Sequence, residues 1–345
     1  MIYPWQHDDW TRIQALRSHW PHALLLHGQA GIGKAEFARH VAQGLLCETP
    51  LANGEPCGHC VACTWFAQGN HPDYRIVVPE SMAAELAPGS VDETAGESVD
   101  SESGKKTKTL SREIKIEQVR ALLSFCAVGS HRGGARVIVL YPAEALNGAA
   151  ANALLKTLEE PPAGVVFLLV SARLDRLLPT IVSRCRQWPL AAPAPEAALG
   201  WLKAQGVDDA AGLLAEAGQA PLSALALARE PSHVLRRQTL EQLAAGAACD
   251  AFACGEALQK APIPLVLGWL QRWLFDLMAV KNADQTRYYP AAAAALARCA
   301  AQADAILLAR FVRQVNRQRA AENHPLNARL VIEELMLAYR DVFTH

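Results

Sequence analysis

A glycine-rich segment near the start of the chain has the spacing of a phosphate-binding loop. It runs Gly28-Gln29-Ala30-Gly31-Ile32-Gly33-Lys34 and matches the pattern G-x-x-x-x-G-K. Glycines at these positions let the backbone curl so that its N–H groups converge on an anion, and the lysine reaches toward the outer phosphates. We therefore predict that Gly28, Gly31, Gly33 and Lys34 form a nucleotide-binding loop or one descended from it.

Two features that phosphate hydrolysis requires are missing from this loop and its surroundings. The residue after Lys34 is Ala35, whereas a Ser or Thr hydroxyl at this position ligates Mg²⁺ in working loops. The apolar run Arg136–Leu140 ends in Tyr141-Pro142 and not in an acidic pair. Glu144 is a candidate displaced acid, but it lies beyond a proline turn. We expect ATP or phosphate binding at most, without Mg²⁺-dependent hydrolysis.

Four of the nine cysteines are clustered with the spacing C-x9-C-x2-C-x2-C. The C-x2-C step lets two thiolates face one ion, and four thiolates give the closed tetrahedral shell of a structural zinc site. An odd number of cysteines in a chain without a secretion signal argues against a disulfide framework. We predict a structural zinc site with His59 as a substitute ligand, and the other five cysteines as buried small hydrophobes. The predicted ligands are Cys47, Cys57, Cys60 and Cys63.

A third set of candidate residues is basic. Arg184 lies in the triplet Ser183-Arg184-Cys185, and taken alone it is an ordinary surface or helix-end charge. Lys156, Arg132 and Arg136 are candidate contacts for DNA or a partner protein, although isolated basic residues are usually solvated.

The elements that must position these residues alternate between strands and helices over the first 190 residues. Apolar runs predict strands at 22–27, 75–78, 136–141 and 165–170, and helical periodicity predicts helices at 36–46, 115–125 and 149–158. This alternation favours an α/β domain with a mostly parallel sheet. Between Ser81 and Ser111 the chain is acidic and nearly without large hydrophobes, so we predict a mobile surface insertion over 81–111.

After Pro189 the sequence pattern becomes helical throughout. Residues 191–195 read as a linker, the next stretch to about residue 230 as a small helical unit, and the remainder as longer amphipathic helices. We therefore predict three domains: a nucleotide-binding-like α/β domain over 1–190, a small helical lid over 191–230, and a helical domain over 231–345. The zinc module falls within the first of these, at 47–63.

Composition and charge narrow the classes of function further. The chain has 345 residues, of which 51% are hydrophobic, 19% charged and only 6% aromatic, and this aliphatic composition favours packed helices. The formal net charge is −1, so no global basic field draws the chain onto DNA or an anionic membrane. No uninterrupted apolar stretch reaches the length of a transmembrane helix, and the N-terminal residues lack a signal-peptide pattern. We expect a cytoplasmic protein that does not contact membranes.

Several of these motifs together resemble the clamp-loader branch of the AAA+ family. The resemblance is strong over roughly the first 190 residues and weaker over the helical remainder, where the domain order agrees but the motifs fade. It is carried by Tyr3-Pro4-Trp5, the loop Gly28–Lys34, the four cysteines, Asn70-His71-Pro72-Asp73, the long segment from Asn152 to Pro162, and Ser183-Arg184-Cys185.

Within that branch the chain is similar to the clamp-loader subunit of bacterial DNA polymerase III that does not hydrolyse ATP. The gamma and tau motor subunits have Lys-Thr or Lys-Ser in the loop and an Asp-Glu pair after the strand, where this chain has Ala35 and Tyr141-Pro142. A nucleotide-sensing lid arginine also has no equivalent in the segment Gly218–Ser223. The resemblance therefore implies a rigid member of a hetero-oligomeric ring.

The resemblance also implies a role for Arg184 and a set of partners. Arg184 corresponds to an arginine finger, which completes the ATP site of a neighbouring motor subunit in trans. The helices of 231–345 would form the oligomerisation collar. The implied partners are the gamma/tau motor subunits, the clamp-opening delta subunit and, through the complex, the sliding clamp and primer-template DNA.

Two other functions remain open from the sequence. One is an active clamp-loader ATPase of gamma/tau type. The glycine-rich loop favours this function, whereas Ala35, which lacks the hydroxyl group that ligates Mg²⁺, opposes it. The other is a zinc-dependent DNA-binding protein, which the cysteines favour and the net charge opposes.

Overall fold

The chain forms two compact units, Met1–Ala192 and Pro193–His345, in a computed structural model. The structure describes residues 2–17, 19–86, 110–320 and 327–343. The predicted collar, 231–345, and all but the first two residues of the predicted lid, 191–230, fall within the second unit, and the division between lid and collar stays a prediction.

The first unit is built around a five-stranded parallel sheet whose strand order is β2-β3-β4-β1-β5. Central strands of a parallel sheet are covered on both faces, which is why β1, β3 and β4 are almost entirely buried. The α/β architecture predicted from the sequence is confirmed. The strands are β1 (Ala23–His27), β2 (Tyr74–Val77), β3 (Arg136–Leu140), β4 (Val165–Ser171) and β5 (Arg186–Pro189).

Helices connect the strands of this unit. Among them, the helix that follows β1 and the helix that precedes β4 are the ones that position candidate functional residues. The helices are α1 (His7–Gln14), α2 (Lys34–Leu46), α3 (Val61–Ala67), α4 (Glu80–Leu86), α5 (Ile116–Ala127), α6 (Gly148–Glu159) and α7 (Pro179–Val182).

The predicted insertion over 81–111 begins with α4 and lies for the most part, at 87–109, outside the described residues. The chain segments on its two sides meet. The Ser81 N–H donates to the Ser111 carbonyl at 3.1 Å, and the Ser111 N–H donates to a Glu80 carboxylate oxygen at 3.1 Å. The Lys115 ammonium group lies 2.7 Å from the other Glu80 oxygen. The described segments before and after residues 87–109 are therefore joined by direct bonds at Glu80, Ser111 and Lys115.

The second unit is helical and contains two hydrophobic clusters. One cluster is formed by the first three helices and the other by the remaining helices. The helices are α8 (Pro195–Ala204), α9 (Ala210–Glu216), α10 (Pro221–Arg229), α11 (His233–Ala244), α12 (Ala251–Leu258), α13 (Ile263–Ala283), α14 (Ala293–Gln302), α15 (Ala305–Ala320) and α16 (Ala328–Asp341).

One helix of the second unit, α13, is the single helix among the described residues that is long and apolar enough to cross a membrane by length and composition. Its large side chains Trp269, Trp273 and Leu274 are buried in the larger hydrophobic cluster of this unit. The indole N–H of Trp273 donates to the Tyr339 hydroxyl at 2.9 Å. Burial with a satisfied polar atom is typical of a core helix.

Candidate functional site

The glycine-rich loop lies between β1 and α2, where a phosphate-binding loop is expected. Gly31 and Gly33 have φ angles of 76° and 87°, in the left-handed region that favours glycine. A Cβ atom at Gly28 would lie 2.3 Å from the carbonyl oxygen of Leu190, so only glycine fits there without a shift of the backbone. The three glycines are thus each required by the conformation of the loop.

The N-terminal segment of the chain supports the loop from outside. The side-chain amide of Gln6, which is 2% exposed, donates to the carbonyl oxygens of Ile32 at 3.1 Å and Gly33 at 2.8 Å. The indole N–H of Trp5 also donates to Ile32 O, at 3.0 Å. A Cβ at Gly33 would lie 2.4 Å from the ring of Tyr3. Sequence reasoning missed Gln6, although the adjacent Tyr3-Pro4-Trp5 motif pointed to this segment.

Lys34 begins α2 and is buried, with its ammonium group 2.5 Å from the carbonyl oxygen of Gln29. Burial lowers the pKa of Lys34 to about 8, while the negative charges of Glu144 and Glu36 oppose this shift. Glu144, the candidate displaced acid, accepts a hydrogen bond from the Ala172 N–H at 3.0 Å. Its carboxylate therefore caps the end of β4 and offsets the charge of the loop lysine.

The two positions that would hold Mg²⁺ in a hydrolysing loop carry no ligand atom on their side chains for it. Ala35 is buried in the first turn of α2, so a methyl group lies where a hydroxyl would be. At the end of β3, Tyr141-Pro142 follows Leu140, and the Tyr141 N–H donates to the carbonyl of Val77 at 3.0 Å. The loop geometry with its lysine suits the binding of an anion.

The sulfur atoms of the four clustered cysteines lie within 4.8 Å of one another. Those of Cys47 and Cys60 are 3.9 Å apart. Tetrahedral zinc with Zn–S bonds of about 2.3 Å separates its sulfur ligands by about 3.8 Å, so the four side chains fit such an ion. We call residues 47–63 the four-cysteine module.

Backbone N–H groups point at the sulfurs of the four-cysteine module. The N–H groups of Cys57, Cys60 and Cys63 lie 3.3, 3.3 and 3.4 Å from the sulfurs of Cys47, Cys57 and Cys60, respectively. Hydrogen bonds from the Thr49 hydroxyl and from the His59 backbone lower the pKa of Cys57 to about 5. Donors aimed at the sulfur of Cys57 therefore stabilise its thiolate, whereas burial raises the pKa values of Cys47 and Cys63.

The imidazole of His59 is not part of the sulfur cluster. Its Nδ1 atom lies 2.9 Å from the carbonyl oxygen of Cys57, and the side chain is exposed. The described ligand set is therefore the four cysteines, without the substitute ligand.

Side chains of the first unit attach the four-cysteine module to its body. The indole N–H of Trp10 donates to the carbonyl of Asn53 at 3.2 Å. Arg132 donates from Nε to Glu48 at 2.9 Å, and its guanidinium carbon lies 5.4 Å from the ring centre of Trp65. Arg132, predicted as a candidate DNA or partner contact, is thus engaged within the chain.

Arg136 was predicted as a candidate DNA or partner contact, and this prediction is wrong. Its side chain is buried, and the guanidinium lies 3.1 Å from the Asp73 carboxylate. It also donates to the carbonyls of Val128 at 2.6 Å and Gly129 at 2.5 Å. A ring stacked below it, that of Phe125, has its centre 4.3 Å from the guanidinium carbon. Arg136 is a structural residue that water and partners do not reach.

Asp73, the last residue of the Asn70-His71-Pro72-Asp73 motif, joins β2, β3 and the loop between α5 and β3. Besides the ion pair with Arg136, it accepts hydrogen bonds from the backbone of His131 at 2.9 Å and Arg132 at 3.1 Å, and from the Ser130 hydroxyl at 3.2 Å. Burial alone would raise the pKa of Asp73, but these donors outweigh it and lower the pKa. The role of this motif is thus a buried ion-pair centre.

Arg184 lies at the amino ends of the strands, whereas the glycine-rich loop lies at their carboxyl ends. The loop follows the carboxyl end of β1, whereas Arg184 precedes β5, whose first residue is level with Leu24 near the start of β1. β1 has five residues and spans roughly 16 Å at 3.3 Å per residue. Arg184 therefore lies far from its own chain's loop.

The side chain of Arg184 is partly exposed and bound to its own chain. Nη1 donates to the carbonyl of Thr180 at 2.9 Å, and Nη2 contacts a carboxylate oxygen of Glu159.

Lys156, from the same helix as Glu159, is exposed and borders a surface cavity of about 220 Å³. A contact of Lys156 with DNA or a partner stays a prediction.

A five-stranded parallel sheet with a glycine-rich loop between its first strand and the following helix defines the class as a P-loop-type α/β domain. Residues 10–194 match the family described as "DNA polymerase III, delta subunit", and residues 233–341 match the one described as "DNA polymerase III, delta subunit, C terminal". The chain belongs to the delta-prime family of DNA polymerase III clamp-loader subunits.

Individual proteins named DNA polymerase III subunit delta-prime are similar to this chain over most of its length. The DNA polymerase III subunit delta-prime of Pseudomonas aeruginosa is 37% identical over 289 residues, covering 80% of this chain and 77% of that protein. The Escherichia coli protein of that name is 32% identical over 284 residues, with 80% and 76% coverage. A gamma-subunit-related protein from Thermotoga maritima aligns over 96% of this chain and 99% of its own at 15% identity, with a TM-score of 0.47.

Proposed function

We propose that this chain is the subunit of the clamp loader that does not hydrolyse ATP and that places Arg184 in the ATP site of a neighbouring motor subunit. The observation that carries the proposal is the separation of the two sites. The chain's own loop and its partly exposed Arg184 lie at opposite ends of the strands of one sheet, and this separation supports a role for Arg184 at a site other than its own.

The loop supports the first half of the proposal. Ala35 and Tyr141-Pro142 replace the groups that ligate Mg²⁺, and hydrolysis needs that metal between the outer phosphates. The loop is also supported by contacts within the chain, through the hydrogen bonds of Gln6 to the carbonyl oxygens of Ile32 and Gly33. ATP or phosphate bound here would serve as a static ligand.

The four-cysteine module is proposed to bind one structural zinc ion. Four thiolates close the coordination shell, so no position is open to water or substrate. The ion would fix the turn between α2 and α3, and Cys60 and Cys63 would hold it at the start of α3.

The remaining roles rest on the resemblance to the clamp-loader branch. The lid over 191–230 and the collar over 231–345 would pack in a ring with the gamma/tau motor subunits and the clamp-opening delta subunit. Contact with the sliding clamp and with primer-template DNA would come through the complete complex, which agrees with a net charge of −1.

Purified chain incubated with ATP and Mg²⁺ is expected to show no turnover above that of the Lys34→Ala variant. The reason is the missing metal ligands, which the lysine cannot replace. Release of inorganic phosphate by the isolated subunit is the measurement. Turnover that disappears in Lys34→Ala would instead establish an active ATPase of the gamma/tau type.

In the reconstituted clamp loader, Arg184→Ala is expected to lower hydrolysis at the site it faces by about 10³-fold. The guanidinium stabilises charge on the transferred phosphoryl group, and alanine removes it. DNA-stimulated ATP hydrolysis and clamp loading are measured together with the mass of the assembled complex. Arg176→Ala, on the loop after β4, is a control. Wild-type rates in an intact Arg184→Ala complex would exclude the finger.

A further inference from the structure

We propose that Glu159 is a positioning residue for Arg184, holding its guanidinium in the direction of the neighbouring subunit. This inference rests on the proposed function of Arg184. It adds a residue from the long segment Asn152–Pro162 whose role the fold alone does not explain.

The contact between Glu159 and Arg184 is one of two hydrogen bonds that hold the guanidinium group. The carboxylate of Glu159 accepts from Nη2, while the carbonyl of Thr180 accepts from Nη1 at 2.9 Å. An arginine side chain held at both terminal nitrogens loses most of its rotational freedom before a ligand arrives. The Arg184 side chain therefore loses conformational entropy when the subunit folds and loses less when it meets its ligand.

The position of Glu159 is itself fixed by the fold. It is the last residue of α6, whose Leu154 and Leu158 side chains are fully buried in the core of the first unit. The Glu160 N–H still donates to the carbonyl of Lys156 at 3.0 Å, and two prolines then end the helix. A carboxylate on a packed helix end gives a firmer anchor than one on a loop.

These two hydrogen bonds leave part of the guanidinium group for another acceptor. Nε is buried, whereas the Arg184 side chain as a whole is 31% accessible. Each terminal nitrogen carries two N–H groups, and within the described chain the contact with Glu159 uses one of those on Nη2. The other is available to a phosphate oxygen.

The ion pair between Glu159 and Arg184 contributes little to the free energy of folding. The Glu159 side chain is 48% accessible, and solvent screens a pair at such a surface. A positioning role therefore predicts a variant that folds and assembles normally and yet loses function.

The test compares Glu159→Gln with Glu160→Gln in the complete clamp loader. Glu160 is the next carboxylate along the chain and lines the cavity beside Lys156, so it is matched in charge and exposure. We expect Glu159→Gln to lower kcat for DNA-stimulated ATP hydrolysis about tenfold, with KM for ATP unchanged. Glu159→Asp should restore part of the rate, and the melting temperature should stay within about 2 °C of wild type.

Three results would overturn the inference. Glu159→Gln could match Glu160→Gln and wild type while Arg184→Ala is impaired, which would leave the finger intact and Glu159 without a role in it. Glu159→Gln could raise kcat, which would make Glu159 a competitor of the phosphate. Loss of assembly or a lowered melting temperature would make the residue structural. Unimpaired Arg184→Ala would instead refute the proposed function itself.

Discussion

Replacing Cys60 by serine is expected to remove the metal from the chain and to unfold the four-cysteine module. Structural zinc sites in small domains contribute about 10–16 kcal/mol of apparent binding free energy at neutral pH. Cys60 is central to the site, since its sulfur lies 3.9 Å from that of Cys47 and accepts from the Cys63 N–H at the start of α3. Protein purified without chelator should contain about one zinc per chain, and Cys60→Ser should contain none.

The readouts are metal analysis and limited proteolysis, in which the variant should be cut between residues 47 and 63. Cys126→Ser is the control, because Cys126 is a buried cysteine of α5 outside the sulfur cluster. It should retain the metal. Wild-type protein free of metal, or Cys60→Ser with a full equivalent of zinc, would contradict the assignment.

Asp73→Asn is expected to destabilise the first unit by about 3–5 kcal/mol, because it leaves the buried Arg136 guanidinium without a counter-charge. The asparagine also loses acceptor capacity toward the backbone of His131 and Arg132. Urea-induced unfolding at pH 7, with hydrogen exchange to assign the transition to the first unit, measures this loss. Asp175→Asn is the control, since Asp175 forms an ion pair with Arg173 that is more than half exposed.

The effect of Asp73→Asn should depend on pH. The folded-state pKa of Asp73 is lower than in the unfolded chain, so its ionised form contributes stability above an unfolded pKa of about 3.9. That contribution is lost as the pH falls through the folded-state pKa. The difference between wild type and Asp73→Asn should therefore be constant above about pH 5 and shrink below pH 4. Equal losses for Asp73→Asn and Asp175→Asn at pH 7 would refute the role of the buried pair.

Much of the first unit could be predicted because its central strands are continuous apolar runs. The runs at β1, β3 and β4 gave strand bounds within a residue or two, and the loop motif fixed the position of α2. β5, Arg186–Pro189, was missed, since an edge strand with an arginine and a proline has no apolar run.

The candidate sites were predictable where the ligands are close in sequence. The four cysteines are brought together as their spacing predicted, and the glycines of the loop have the conformations it requires. Arg136 was misassigned because its counter-charge, Asp73, is 63 positions away and no local signal connects them. Gln6 and the contact of Glu159 with Arg184 were missed for the same reason, since each partner is more than 20 residues distant.

The junction at Glu80, Ser111 and Lys115 has a further consequence for how this chain can vary. Because the flanking segments are bonded to each other, the sheet does not depend on the residues between them to bring β2 and α5 into register. Residues 87–109 can then be lengthened, shortened or exchanged by evolution or by an engineer while the junction keeps its bonds. A tag or label inserted between Leu86 and Leu110 is therefore expected to leave the five-stranded sheet intact.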